Sequence, residues 1–409
     1  MDKIKARIRE LRDELVALRR DFHANPELGF QEFRSASVIE QYLRDLGLET
    51  ARISGTGVVA LVEGQSESPV FMLRADMDAL PICEATGLDY ASCTEGVMHA
   101  CGHDAHMAML MVAAKVLAEN KESIRGTVKL VFQPNEEVNG ARDMIRAGVL
   151  ENPAVDAAFG IHIWSQLPSG TVAVTPGPVM GGLDVFKLVI RGKGGHTGFP
   201  EEAVDPVIAA AQVIISVQAV QTREISNFQP TTIMFGMIEG GTKNNIIPEC
   251  VNLEGSIRYM YPGPDGPGHP TQRFQRIVHS VCGTHRCSCE INLVRENIPL
   301  INDPGLTRIA SMAASEVLDQ AGSITTMQTI ASEDFSEFSA RVPSAFIFLG
   351  CGNPEKGTDI PHHNPHFHID EDVLPLGVEL FISSVFEFFK NASEFNKKTQ
   401  KTRKGGDCN

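Results

Sequence analysis

Thiol, imidazole and carboxylate side chains hold divalent metal ions, and this chain of 409 residues gathers them into a few short stretches. The densest is Met98-His99-Ala100-Cys101-Gly102-His103-Asp104-Ala105-His106. These are the donor types that bind Zn²⁺ or Mn²⁺, and Gly102 lets Cys101 and His103 turn toward one point. Alone, a Cys-x-His is as readily a packed loop. Gln133-Pro134-Asn135-Glu136-Glu137 supplies two adjacent acids, of which one can ligate a cation while the other takes a proton from an attacking water. Standing by itself, that pair reads as an acidic surface turn. His162 lies in the apolar run Phe159 to Trp164, where a lone histidine is more often a hydrogen-bonded core residue. Pro361-His362-His363-Asn364-Pro365-His366-Phe367-His368 offers four histidines between prolines, by itself a weak metal signal. Together the four stretches make up the inventory of a dinuclear hydrolase, in which two ions about 3.5–4 Å apart share a water and polarise a carbonyl. Arg74-Ala75-Asp76-Met77-Asp78-Ala79-Leu80-Pro81 adds carboxylates, and Asp78 can hold a ligand histidine in its working tautomer.

Such residues need strand ends to bring them together. Ile4, Ile8, Leu11, Leu15, Leu18 and Phe22 fall at helical spacing over residues 3–25, and Asn25-Pro26-Glu27 ends that helix. A helix is expected over 35–46 and strands over 57–62 and 70–74. A buried Ala- and Met-rich helix follows over 105–119, then strands over 126–132, 157–164 and 345–349. Strands alternating with helices predict an α/β domain with a mainly parallel sheet, whose chemistry sits in loops at strand ends. From about residue 184 to 299 the pattern becomes strand 185–190, helix 206–221, strands 231–238 and 250–259, helix 271–281 and strand 289–295. That is a βαββαβ insert, a ferredoxin-like module. The expected division is therefore 1–184 and 300–409 for the catalytic domain and 185–299 for the insert. Pro262 to Pro270 reads as a loop, and the basic tail after Asn391 as a frayed, solvated end.

Composition narrows the partners. A formal charge of -15 argues against nucleic acid and against an anionic membrane surface, both of which need a Lys/Arg excess. No stretch approaches the ~20 apolar residues of a membrane span, and residues 1–20 lack the apolar core of a secretion signal. Nine cysteines, unevenly spread, fit a reducing, cytoplasmic setting better than a disulfide framework.

The motifs also occur in a familiar order. Arg74 to Pro81, His99-Ala-Cys-Gly-His-Asp104, Gln133-Pro-Asn-Glu-Glu137, Gly160-Ile-His162, Gly194-Gly-His196, Asn245-Ile-Ile-Pro248, Glu333-Asp-Phe335 and His363-Asn-Pro365 together resemble the M20 metallopeptidase family. The match is to its amidohydrolase branch of hippurate hydrolases, aminoacylases, auxin-conjugate hydrolases and N-acetyl-diaminopimelate deacetylases. It extends from His23-Ala-Asn-Pro-Glu27 to the last helix. The resemblance implies that Cys101, His103, Glu137, His162 and His363 ligate two divalent ions, Mn²⁺ or Zn²⁺, and that Glu136 is the general base. It implies further that the insert is a lid and dimerisation domain in a homodimer or homotetramer. His196 would reach the partner's site to stabilise the oxyanion, and Asn245 and Arg258 would touch a small-molecule substrate. The implied reaction is hydrolysis of the amide bond of N-acyl amino acids. A dipeptidase of the same fold is the nearest alternative, and a hydrolase of another small amide or C–N substrate a further one.

Three positions depart from the family pattern. Glu201 and Glu202 follow Pro200 where a histidine is common, Ser226 replaces an arginine before Asn227, and His362 stands where an apolar residue is usual. The first two swaps remove positive charge and weaken the case for a hippurate-type carboxylate. Cys282-Gly-Thr-His285-Arg-Cys287-Ser-Cys289 has zinc-binding residue types, but it straddles an expected helix end and strand start and is read as structural.

Overall fold

The computed structural model describes residues 1–261, 268–318 and 322–405, with side chains described as far as Ala392. The chain forms two compact units, one of Met1–Val179, Ile301–Gln328 and Asp334–Asn409, the other of Met180–Leu300 with Thr329–Glu333.

The first unit is built on an eight-stranded sheet. Its elements begin with helices α1 (Asp2–Glu10), α2 (Arg12–Ala24) and α3 (Phe33–Asp45). The single helix expected over 3–25 is two, because Leu11 departs from helical ψ. The stripe of Ile8, Leu11, Leu15 and Phe22 is nonetheless buried across the break. Strands β1 (Thr50–Ile53), β2 (Gly57–Glu63), β3 (Val70–Asp76), β4 (Thr127–Gln133), β5 (Ala157–Pro168) and β6 (Thr171–Ala173) join the later strands Ser323–Thr325 and Ser344–Gly352. Their order is β1, β2, β4, β3, β5, Ser344–Gly352, β6, Ser323–Thr325. The neighbours β4, β3, β5 and Ser344–Gly352 run parallel; β1 with β2, β2 with β4 and Ser344–Gly352 with β6 pair antiparallel, and β6 runs parallel to Ser323–Thr325. Strand β1 was not foreseen; it is four residues long and half exposed, with no apolar alternation to announce it.

Both faces of β3 and β4 are buried, as expected for a parallel sheet covered by helices. Helix α4 (His103–Glu119) is almost wholly buried and matches the Ala- and Met-rich run. Its first turn is tied to α2 by an ion pair of Arg19 Nε with Asp104 Oδ2 at 2.9 Å, and His23 Nδ1 meets the same oxygen at 2.7 Å. Inside β3, buried Arg74 bonds Asp76 at 2.5 Å, the Gln133 amide oxygen at 2.8 Å and Asp334 at 2.9 Å. Charges so deep are retained because each meets a partner. The last helix runs Leu374–Gly405, so the expected fraying after Asn391 is not what the backbone does. No glycine or proline interrupts it between Gly377 and Gly405. The basic side chains of Lys397 to Lys404 lie outside the described ones.

The second unit carries a four-stranded antiparallel sheet of β7 (Gly182–Arg191), β8 (Thr231–Gly240), β9 (Cys250–Tyr259) and β10 (Ser288–Asn297), in the order β8, β9, β7, β10. Helices α5 (Pro206–Ser216) and α6 (Pro270–Thr284) complete the βαββαβ arrangement, with Phe186, Leu253, Ile257, Phe274 and Val278 in its core. Residues 262–267 of the expected Pro/Gly loop lie outside the described ones, and Pro270 opens α6. Among the described residues no helix is long and apolar enough to cross a membrane.

Candidate metal centre

Parallel strands end on the same edge of a sheet, and three adjacent strands deliver the candidate residues there. Register pairs Asp76 with Gln133 across β3 and β4, and Arg74 with Gly160 across β3 and β5. Asp78 therefore follows the end of β3, Glu136 and Glu137 follow the end of β4, and His162 sits level with the end of β3. Cys101 and His103 flank Gly102, which caps α4 with φ +89°. A Cβ at Gly102 would lie 2.3 Å from the Ile163 side chain, so both backbone angle and space require glycine. Asn135 and Asn139, on either side of the glutamate pair, are also left-handed, with φ of 54° and 70°. These turns aim both acids inward.

The ligand atoms of Cys101, His103 and His162 lie within 4.8 Å of one another, as do those of Cys101, Glu137 and His363, and those of His103, Glu136 and Glu137. Cys101 Sγ is 3.6 Å from His162 Nε2, His363 Nε2 is 3.3 Å from Glu137 Oε1, and His103 Nε2 is 4.0 Å from Glu136 Oε2. All five residues proposed as ligands, with Glu136, thus converge. His103 Nδ1 meets the Asp78 carbonyl at 2.8 Å, which leaves Nε2 buried with no hydrogen-bond partner. His162 Nδ1 meets the Ile163 carbonyl at 2.6 Å and so turns Nε2 toward Cys101. An orphaned buried imidazole nitrogen facing a thiol and two carboxylates is a donor set that fits a divalent cation.

Electrostatics agree. Hydrogen bonds to Cys101 and Glu137 push His363 up to about 10. Burial alone would lower His103, yet the Asp76 carboxylate and the Cys101 thiol hold it well above the usual histidine range. The cluster attracts positive charge. His162, by contrast, is held well below that range by burial and by the neighbouring His106 and His362, which keeps its nitrogen lone pair available.

The Asp78 carboxylate lies among three of the candidate residues. Its Oδ1 lies 3.3 Å from His103 Nδ1 and accepts the Glu136 backbone N–H at 2.9 Å, while Oδ2 accepts the Glu137 N–H at 3.1 Å. Two positioning residues escaped the sequence reading. His106 Nδ1 meets Asp76 Oδ1 at 2.6 Å and its Nε2 accepts the Ile163 N–H at 3.0 Å, so this ring fixes β5 beside His162. Asp334 accepts from Arg74, from Gln133 and from the Ala141 N–H, and donates its own backbone N–H to Glu136 Oε1 at 3.3 Å. His106 lies three residues beyond His103 on one helix face, a signal that was available. Both residues stand in motifs of the family pattern, but no spacing rule ties Asp334 to Arg74 across 260 positions.

The remaining candidates belong to the second unit. His196 is exposed, pairs with Ile246, and accepts the Gly198 N–H on Nδ1 at 2.9 Å. His196 and Asn245 line one cavity of about 740 Å³, with Glu239, Glu249 and Asn252. Arg258 donates to the Ile330 carbonyl at 3.2 Å, and burial lowers its pKa. In the Cys282–Cys289 tract, Cys289 Sγ meets His279 Nδ1 at 3.2 Å, and no group of three metal-ligating atoms forms there among the described residues.

Residues 72–387 match the family described as Peptidase family M20/M25/M40. The chain is 39% identical to thermostable carboxypeptidase 2 of Saccharolobus solfataricus over 92% of its own length and 96% of that protein's. It is 35% identical to N-acetylcysteine deacetylase of Bacillus subtilis, covering 90% of this chain and 94% of the other. Among solved structures it is similar, with a TM-score of 0.81 and 31% identity over 93% of this chain and 99% of the other, to the YXEP protein of Bacillus subtilis, described as a dinuclear metal binding peptidase from the M20 family.

Replacing Asp78 by alanine removes the acceptor for two backbone N–H groups and the carboxylate beside His103, whose Nδ1 keeps the backbone carbonyl of residue 78. Metal affinity, measured by competition with a chelator, is expected to fall about 10–100-fold. Unchanged affinity would remove Asp78 from this role.

Proposed function

The chain belongs to peptidase family M20/M25/M40 and is an amidohydrolase acting on C–N bonds, and from that premise we propose how its own residues perform the reaction. Cys101, His103, Glu137, His162 and His363 hold two divalent ions, Mn²⁺ or Zn²⁺. The observation that carries this is the convergence of their ligand atoms around the unpartnered His103 Nε2. When bound, such ions acidify a water and polarise the scissile carbonyl.

The substrate is an N-acyl amino acid, and the products are a carboxylic acid and a free amino acid. Glu136 takes the proton of the attacking water and passes it to the leaving amine nitrogen. Its Oε1 is steadied by the Asp334 N–H, and its Oε2 lies toward His103. His196 supplies electrostatic stabilisation of the oxyanion, and Asn245 and Arg258 contact substrate. Residues 185–299 form the lid and dimerisation domain, flanked by catalytic segments 1–184 and 300–409. A second reading, a peptidase that accepts a free α-amino group, is favoured by the carboxypeptidase relative. Release of amino acid from N-acetyl, N-benzoyl and indoleacetyl substrates, set against Gly-containing dipeptides, separates the two. Glu136→Gln is expected to keep its metal and lose turnover by about 10²-fold or more; retained turnover would remove Glu136 from the role of base.

Assembly through the second unit is supported by its surface. Edge strand β8 exposes Met234, Met237 and Ile238, and α5 exposes Val207, Ile208 and Ile215. Unpaired strand edges and apolar patches of this kind mark interfaces. Light scattering is expected to give the mass of a dimer or tetramer, and Ile238→Lys to shift it toward the monomer; a monomeric wild type would contradict this. The cytoplasm is the proposed location, in keeping with free cysteines at all eight described positions, a reading that cell fractionation tests.

A further inference from the structure

His363 has φ +61°, a left-handed backbone in a residue that is not glycine. Such a conformation is strained in a residue with a side chain and persists only where its surroundings over-determine it. One restraint is plain: the His363 N–H donates to the Ala100 carbonyl at 2.9 Å, which fastens this loop to the one bearing Cys101.

We infer that the second restraint is the side chain of His362, a positioning residue that fixes the His363 loop against the strand bearing His162. His362 Nε2 accepts the backbone N–H of Ser165 at 3.3 Å. Ser165 lies three residues beyond His162 on β5, so this bond sets the spacing between two segments that each carry a proposed ligand. An accepting Nε2 places the ring proton on Nδ1. The ring is held in place by Trp164 and Phe367, each with centroids 4.7 Å away, and stands 5.4 Å from the His162 ring at 74°. It also interacts with the Cys101 carbonyl.

The choice of histidine has a cost that identifies its use. Nδ1 is sealed from solvent and, although the Cys101 carbonyl draws on the ring, completes no hydrogen bond of good geometry, which is unfavourable. An apolar side chain of similar volume would pack against Trp164 and Phe367 without that cost, but could not accept from Ser165. What the ring adds over an apolar residue is therefore its acceptor. The inference rests on the reading that Cys101, Glu137, His162 and His363 hold metal, and its test keeps the two apart.

Co²⁺ titration, followed by visible absorption, gives the number and affinity of bound ions in the wild type, His362→Leu and His362→Gln. Urea unfolding of each chelator-treated protein reports stability separately. The wild type is expected to bind two ions. His362→Leu is expected to weaken one of them about 10–100-fold, with an altered absorption band and an unfolding midpoint no lower than wild type. His362→Gln, whose side-chain oxygen can accept the Ser165 N–H, is expected to recover most of that loss. Wild-type affinity for both ions in His362→Leu would overturn the inference, as would a loss in His362→Gln equal to that in leucine. A loss matched by lower stability of the chelator-treated protein would make the role merely structural. A wild type that binds no Co²⁺ would overturn the metal reading itself and the inference with it.

Discussion

A single carboxylate, Asp78, joins the segments on which the proposed metal centre depends. From a position just past β3 it accepts the N–H groups of Glu136 and Glu137 and lies 3.3 Å from His103 Nδ1. The glutamate turn and the start of α4 are thereby referenced to one strand end. A parallel sheet makes this possible, because its strands discharge their loops on one edge. Beneath Asp78, the buried group of Arg74, Asp76, Gln133 and Asp334 fixes that edge, and Asp76 extends it through His106 to the backbone of Ile163. Each member satisfies another's charge or hydrogen bond, so the network is rigid where the ligands need it to be.

Much of this was legible in the sequence, and for identifiable reasons. Runs such as Val70 to Arg74 and Gly126 to Phe132 are apolar, short and bounded, which is how a strand buried on both faces reads. Gly102 between two candidate ligand types signalled that both could turn toward one point, and the structure adds φ +89° and an Ile163 side chain in the space a Cβ would take. The change of period near residue 184 announced the βαββαβ module, whose strand order β8, β9, β7, β10 is that of a ferredoxin-like sheet.

What stayed hidden was non-local. Asp334 touches Arg74 and Glu136 through contacts separated by 260 and 198 positions, which no spacing rule anticipates. His106 was visible beside His103, but only the structure shows both of its nitrogens engaged, one by Asp76 and one by Ile163. The left-handed backbone of His363 likewise has no signature in residue type, and His362, which stood out as a departure from the family pattern, gave no sign of its bond to Ser165. Strand β1 was missed because four half-exposed residues carry no periodicity.

The most direct test of the account relates catalysis to ions bound. Protein stripped with a chelator and reloaded stepwise with Mn²⁺ or Zn²⁺ is assayed for amino-acid release from an N-acyl amino acid, while ions per chain are counted by elemental analysis. The account predicts no release from the stripped protein and activity that saturates at two ions per chain. Full activity in the stripped protein, or saturation with no ion retained, would contradict it.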